Sequence, residues 1–207
     1  MKGRGVAVDV AAFTIDGGAL RVLLEERPAQ GGWQLPGSAV AAAESPGDAA
    51  RRILEARFGP RAPYHEQLYT FGEPGRGPIS VAYFAVVPRG RAPQGLSWKP
   101  VQVPLAFDHG EILAEAVERL HTKTEYSTLP LRFLEEPFTL SEVQAVYEVL
   151  LERPLDKRNF RRKMLALEAL RQVQGRRRSG AHRPARLFRL SPDRPYLLKE
   201  RGILFPF

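Results

Sequence analysis

Apolar residues crowd two stretches near the start of the chain, Val6-Ala7-Val8-Asp9-Val10-Ala11-Ala12-Phe13-Thr14-Ile15 and Leu20-Arg21-Val22-Leu23-Leu24-Glu25-Glu26-Arg27. Both read as strands, and Asp16-Gly17-Gly18 between them is a hairpin turn signal. The period then lengthens. Across Pro46 to Gly59, Ala50, Ile53, Leu54 and Phe58 form the apolar stripe of a helix that Gly59 stops. Glu111 to His121 repeats the pattern with Ile112, Leu113, Ala116, Val117 and Leu120, and Leu131 to Leu134 is short enough for a strand. Thr139 and Glu142 make a capping box, so Leu140, Val143, Val146, Tyr147, Leu150 and Leu151 predict a helix over about 141–152. Arg153-Pro154-Leu155 breaks it. Asp156 is a second N-cap, and Phe160, Met164, Leu165 and Leu167 mark the predicted buried side of the helix that follows. Leu167 to Val173 and Pro184 to Leu190 read as a strand and its return.

Charge divides these elements unevenly. Residues 1–135 carry 15 Lys and Arg against 15 Asp and Glu, whereas residues 136–207 carry 16 against 8, so the whole net charge of +8 sits in the last third. That asymmetry fits a neutral portion joined to one that meets a polyanion; a solvated basic face is the alternative. With 207 residues, 43% of them hydrophobic, the chain has material for one large core or two small ones. The absence of cysteine excludes disulfides and thiolate metal sites. No run of about 18 apolar residues suggests a membrane span, and Met1-Lys2-Gly3-Arg4-Gly5 leads straight into a strand. The expectation is a cytoplasmic protein with no membrane partner.

Chemistry enters at Leu35-Pro36-Gly37-Ser38, Glu44 and Arg51 to Gly59. Aligned on Glu44 and Arg52, the run from Glu44 to Gly59 has the spacing of a Nudix box, the loop-helix-loop of nucleoside-diphosphate hydrolases: Glu, seven residues, then Arg-Glu-apolar-any-Glu-Glu-any-Gly. It keeps Glu44, Arg52, Leu54 and Gly59. Ile53, Ala56 and Arg57 stand where the pattern has glutamates. Hydrolysis of this kind uses divalent ions held by carboxylate oxygens, and side chains at i and i+4 share a helix face. Ile53 offers no ligand, and a guanidinium at Arg57 repels a cation. Glu55 is turned about 100° per residue away from either neighbouring position and does not replace them. Catalysis is therefore not expected, and no metal or cofactor is, although Arg52 and Arg57 remain able to pair with a pyrophosphate. The same segment also satisfies an ordinary amphipathic helix.

The basic third carries its own pattern. Two helices joined by a short turn make a helix-turn-helix candidate, and the second presents Lys157, Arg158, Asn159, Arg161, Arg162 and Lys163. Arg suits guanine edges and Asn suits adenine in a major groove. Gln174-Gly175-Arg176-Arg177-Arg178-Ser179-Gly180 is a glycine-bounded basic loop between the last two strands, placing Arg176, Arg177 and Arg178 on a wing that reaches phosphates or a minor groove. Helix, strand, helix, recognition helix, strand, wing, strand is the order of a winged helix. The sequence thus predicts an α/β (α+β) chain: an N-terminal Nudix-like mixed β-sheet sandwiched by helices over 1–107, and a C-terminal winged helix-turn-helix over 108–207.

Together the two halves resemble the Nudix-related transcriptional regulators of NAD metabolism, over nearly the whole chain. The most specific stretches are Gln67-Leu68-Tyr69-Thr70-Phe71-Gly72, Ser80-Val81-Ala82-Tyr83-Phe84, Leu105-Ala106-Phe107-Asp108-His109, Phe138-Thr139-Leu140 to Tyr147, Arg153 to Lys163 and Arg183-Pro184-Ala185-Arg186-Leu187-Phe188. The resemblance implies a homodimeric repressor that grips a palindromic duplex operator and responds to ADP-ribose or a related NAD metabolite. Glu44, Arg52, Arg57, Phe71, Glu73, Arg76 and Tyr83 are the candidate ligand residues, each equally compatible with core or surface. His109 reads as a hydrogen-bonded junction residue or a transmitter of ligand binding, and Lys123 as an exposed lysine or a phosphate contact. Two alternatives stay open: a residual Nudix pyrophosphohydrolase acting on ADP-ribose-like nucleoside diphosphate derivatives, and an RNA-binding protein with an inactive Nudix domain.

Overall fold

The computed structural model describes residues 5–27, 32–72, 77–89, 93, 96–177 and 184–191, with the side chains of Arg176 and Arg177 excepted. Packing divides the chain into two compact units after Arg119. The first is built on β1 (Val6–Asp16) and β2 (Ala19–Glu26), a two-residue hairpin whose Gly17 and Gly18 have φ of 59° and 75°. Left-handed backbone at both turn positions is what the twist of a tight hairpin requires, and glycine supplies it without strain.

After the hairpin come β3 (Trp33–Gln34), β4 (Gly37–Ala39), α1 (Pro46–Phe58), β5 (Tyr64–Phe71), β6 (Ile79–Val86) and β7 (Ser97–Pro100). The sheet order is β3-β2-β1-β6-β5, with β4 paired to β1 and β7 to β2. β1 runs parallel to β6 from Val6↔Ile79 to Phe13↔Val86, while its other partners are antiparallel, so the sheet is mixed. A strand covered on both faces needs apolar residues at nearly every position, which accounts for the unbroken burial of Val8 to Phe13. One face, Val8, Val10, Ala12, Leu23, Tyr83 and Ala85, packs against Ala49, Ala50, Ile53 and Leu54 of α1. The other carries Asp9, Ala11, Phe13, Val22, Leu24, Phe84 and Val86, all buried.

α2 (His109–Tyr126) is longer than the sequence predicts at both ends, and the division between the units falls inside it. In the second unit a 3-10 helix, Leu129–Phe133, replaces the strand expected over Leu131 to Leu134. Pro130 fixes a helical φ at its first turn, and Leu131 N–H donates back to Thr128 C=O at 3.0 Å. Next come α3 (Leu140–Leu150), α4 (Lys157–Ala166), β8 (Leu170–Arg177) and β9 (Ala185–Leu190). β8 begins later than expected because Leu167 closes α4 and Glu168 turns the chain with φ of 53°. The extra partner for β9 is Phe138, whose backbone exchanges hydrogen bonds of 2.9 and 2.7 Å with Phe188.

The core of this unit gathers Leu131, Phe138, Val143, Tyr147, Phe160, Met164, Leu167, Ala169 and Phe188. Leu165, expected among them, is 49% exposed. It lies one residue past Met164, about 100° around the helix, whereas Phe160, Met164 and Leu167 follow the i, i+4, i+7 line of the inner face. Lys123, read as exposed or phosphate-facing, is 7% exposed, with Nζ 6.0 Å from the centre of the Tyr126 ring. An apolar stem of four carbons lets a lysine be buried to this extent.

Candidate functional site

Two places hold the chemistry the sequence singled out. In the second unit, α4 is set by its own sequence: Asp156 accepts from Asn159 N–H at 2.7 Å and caps the helix. The turn before it is stapled from α3. Glu148 accepts from Leu155 N–H at 2.9 Å, and Gln144 donates to Leu155 C=O at 3.0 Å and to Glu148 at 2.9 Å. Both backbone groups of a break-point residue are satisfied by two side chains one helical turn apart, which fixes the angle between α3 and α4. Tyr147 and Phe160 meet edge to face at 5.4 Å beneath that turn, and full burial pushes the Tyr147 hydroxyl well above the usual phenol range.

On the outer side of α4, Lys157, Arg158 and Arg162 are exposed, while Asn159, Arg161 and Lys163 are half-buried. Among the described residues, no ion-pair partner faces Lys157 or Arg158. Arg162 donates to Asn159 Oδ1 at 2.9 Å, which orients that amide. Arg161 differs: it donates to Ser141 Oγ of α3 at 3.0 Å, and its Nε is buried without an acceptor. It braces the two helices. Of the wing arginines, Arg176 and Arg177 end β8, with side chains outside the described set, and Arg178 lies outside the described residues.

In the first unit, Glu44 and Arg52 face each other. Arg52 donates from Nε to Glu44 Oε1 at 2.7 Å and from Nη2 to Oε2 at 2.9 Å, with further bonds to Ser38 Oγ at 3.1 Å and Ala39 C=O at 3.4 Å. The bidentate pair clips the loop before α1 onto the helix. Hydrogen bonding from Arg52, then from Ala41 N–H, lowers the Glu44 pKa to about 2. Arg57 is also engaged, donating to Ile53 C=O at 2.8 Å and ion-paired with Glu25 of β2, whose other oxygen accepts from Gln34 at 3.4 Å. Ile53 is 3% exposed and faces the core. Tyr83 is 7% exposed beneath α1, where burial raises its pKa. Phe71 ends the edge strand β5, its ring 5.6 Å from exposed Tyr69. Glu73 and Arg76 lie outside the described residues.

Residues 130–190 match the NrtR DNA-binding winged helix domain. Over 206 residues the chain is 33% identical to the ADPR responsive transcriptional repressor NtrR of Acinetobacter baylyi, an alignment that spans 90% of this chain and 82% of that protein. The chain belongs to the NrtR family. The structure of Shewanella oneidensis NrtR complexed with a 27mer DNA is similar at a TM-score of 0.81 and 35% identity, over 91% of this chain and 94% of that one. The NUDIX domain of the same Shewanella protein complexed with ADP ribose is similar over 58% of this chain and 90% of its own length, at 31% identity and a TM-score of 0.50.

Within this NrtR frame the structure joins Glu44 to Arg52 and Arg162 to Asn159, but it gives Arg57 and Tyr83 partners of their own. Sequence reasoning overlooked three features. Arg171 and Arg189 sit directly opposite each other across β8 and β9, both exposed. Strand alternation held that signal, since Val173 and Leu187 share their face two residues on. Phe107 is 70% exposed with φ of 58°, and the Arg27 guanidinium lies 4.3 Å above its ring. The Gln144 and Glu148 staple had no signal beyond polar residues at i and i+4.

Proposed function

We propose that the chain is a ligand-gated transcriptional repressor. As a homodimer it would bind a palindromic DNA operator through α4 and the wing, and ADP-ribose or a related NAD metabolite through its Nudix-like unit. The observation that carries this reading is α4 itself, a capped and stapled helix that leaves Lys157, Arg158 and Arg162 outward on a winged-helix core. Lys157, Arg158, Asn159, Arg162 and Lys163 are assigned to the groove and its phosphates, with Arg176, Arg177 and Arg178 on the wing and Arg171 and Arg189 behind them. Arg161 acts from underneath. Functionally, residues 1–107 are assigned to sensing and 108–207 to reading, and the protein works in the cytoplasm with the genome it binds. Among the described residues, no helix is long and apolar enough to cross a membrane.

The same reading makes the chain a sensor rather than a hydrolase. Divalent ions of the Nudix kind do not fit the residues present: Ile53 is turned into the core, Ala56 has no ligand atom, and Arg57 takes up the Glu25 carboxylate. Glu44 and Arg52 hold the shape of the box loop, and Arg57 is a resident cation beside it. A fluorescently labelled duplex from upstream of the chain's own gene tests the reading by anisotropy. Tight, salt-sensitive binding that ADP-ribose weakens is expected. Failure to prefer that duplex over unrelated DNA or RNA, or robust ADP-ribose cleavage with magnesium or manganese, refutes it.

A further inference from the structure

His109, the first residue of α2, is 7% exposed. Its Nδ1 accepts a hydrogen bond from the backbone N–H of Leu35 at 2.9 Å, and its Nε2 lies 3.6 Å from Asp9 Oδ1. The second Asp9 oxygen accepts from Ser80 Oγ at 2.5 Å. Four segments converge on one imidazole: β1 through Asp9, β6 through Ser80, the Leu35-Pro36-Gly37 entry to the box loop, and α2. The entry is held close by Val10 N–H, which donates to Pro36 C=O at 2.9 Å, and by Gly37, where any Cβ would overlap Asp9 Oδ1.

An Nδ1 that accepts from a backbone amide carries no proton, so the ring is neutral with its hydrogen on Nε2, facing the carboxylate. Burial favours that neutral form and lowers the His109 pKa, and Arg27 acts the same way, against the upward pull of Asp9, Asp108 and Glu25. Leu35 is fully buried and its N–H turns to this ring. A displacement of the box entry therefore either drags the start of α2 or releases it, since a buried amide cannot stay unpaired cheaply. α2 continues without a break into the second unit.

We infer that His109 is a positioning residue that couples occupancy of the box loop to the placement of α2. This rests on the reading of the chain as an ADP-ribose-responsive DNA binder. Coupling between two sites requires an element with two discrete arrangements that both ligands bias, and a single hydrogen bond between Leu35 and His109, made or broken, is such an element.

The full chain is tested as wild type, His109→Leu and His109→Asn. Asparagine keeps an acceptor near the Nδ1 position; leucine removes it. Duplex affinity is measured by anisotropy with and without ADP-ribose, and ADP-ribose affinity by calorimetry. In the wild type, ADP-ribose is expected to weaken duplex binding by a factor on the order of ten. His109→Leu is expected to bind each ligand separately while the factor drops below about two, and His109→Asn to restore most of it. Nitrogen-15 spectra of the wild type should show the Nδ1 resonance and the Leu35 amide shifting together on addition of ADP-ribose. Unchanged coupling in His109→Leu, or unmoved His109 and Leu35 resonances at saturating ADP-ribose, overturns the latch and leaves the functional reading standing. A wild type whose duplex affinity ignores ADP-ribose overturns both. If His109→Leu does not fold, the wild-type spectra and loss or retention of coupling in His109→Asn decide.

Discussion

Arg57 shows how one side chain changes what a helix can hold. At the position where a hydrolase presents a carboxylate, a guanidinium instead pairs with Glu25 and returns a hydrogen bond to Ile53 C=O. Removing it in Arg57→Ala strands a mostly buried carboxylate, and a loss of about 1–3 kcal/mol in urea denaturation is expected. Gly37 is constrained for a different reason. Its φ needs no glycine, but an added Cβ would press on Asp9 Oδ1 and stand 3.0 Å from Val8 C=O. Gly37→Ala should therefore lower stability by about 1–3 kcal/mol, read as a reduced melting temperature. Glu44 supplies the pH test. Its folded pKa of about 2 lies below the ordinary glutamate value of 4.5, so its contribution is complete above pH 4.5 and fades as pH falls toward 2. Carbon-detected titration should place the Glu44 carboxyl near that low value, and Arg52→Gln should return it toward the ordinary glutamate range.

Helices were more legible than their partners. Apolar spacing and the caps Thr139 and Asp156 located α3 and α4, and the structure shows both capping bonds of Thr139, at 3.2 and 2.7 Å. Leu131 to Leu134 misled because a short apolar run has no period, and Pro130, just outside it, decided the outcome. Leu165 misled because it stands about 100° around α4 from the line of Phe160, Met164 and Leu167, and Lys123 because a buried lysine leaves no mark in the apolar pattern. The box was legible as spacing, but the partners of Arg52 and Arg57 were not, since Ser38 and Glu25 come from other strands. At this scale the turn between α3 and α4 is the vulnerable joint. Glu148→Ala removes the acceptor for Leu155 N–H and one of the two acceptors of Gln144, so stability should fall by about 1–3 kcal/mol. Duplex binding should weaken with it, even though Glu148 is not among the proposed DNA contacts. Arg161→Ala should likewise lower the melting temperature together with duplex affinity, whereas Arg158→Ala should lower affinity alone. Equal melting temperatures for the two variants would place Arg161 among the readers rather than the braces.

Across the whole molecule, charge separates the two proposed tasks. Residues 1–135 balance at 15 basic and 15 acidic groups, and the excess of 16 over 8 lies beyond them. A duplex held by that excess releases condensed counterions, so the logarithm of its affinity should fall linearly with the logarithm of salt concentration, by about 0.9 for each phosphate engaged. Neutralising Arg158 or Lys157, if either lies against a phosphate, should therefore lower affinity on every sequence and make the slope shallower by about that amount. A residue that reads a base instead lowers affinity for the operator more than for unrelated DNA and leaves the slope nearly unchanged. ADP-ribose carries only a pyrophosphate and is proposed to meet the portion of the chain whose charges balance, so its affinity should respond far less to salt. Measured over one salt series, a steep line for duplex and a shallow one for ADP-ribose would assign the ligands to different units. Parallel lines would mean that the basic third holds both.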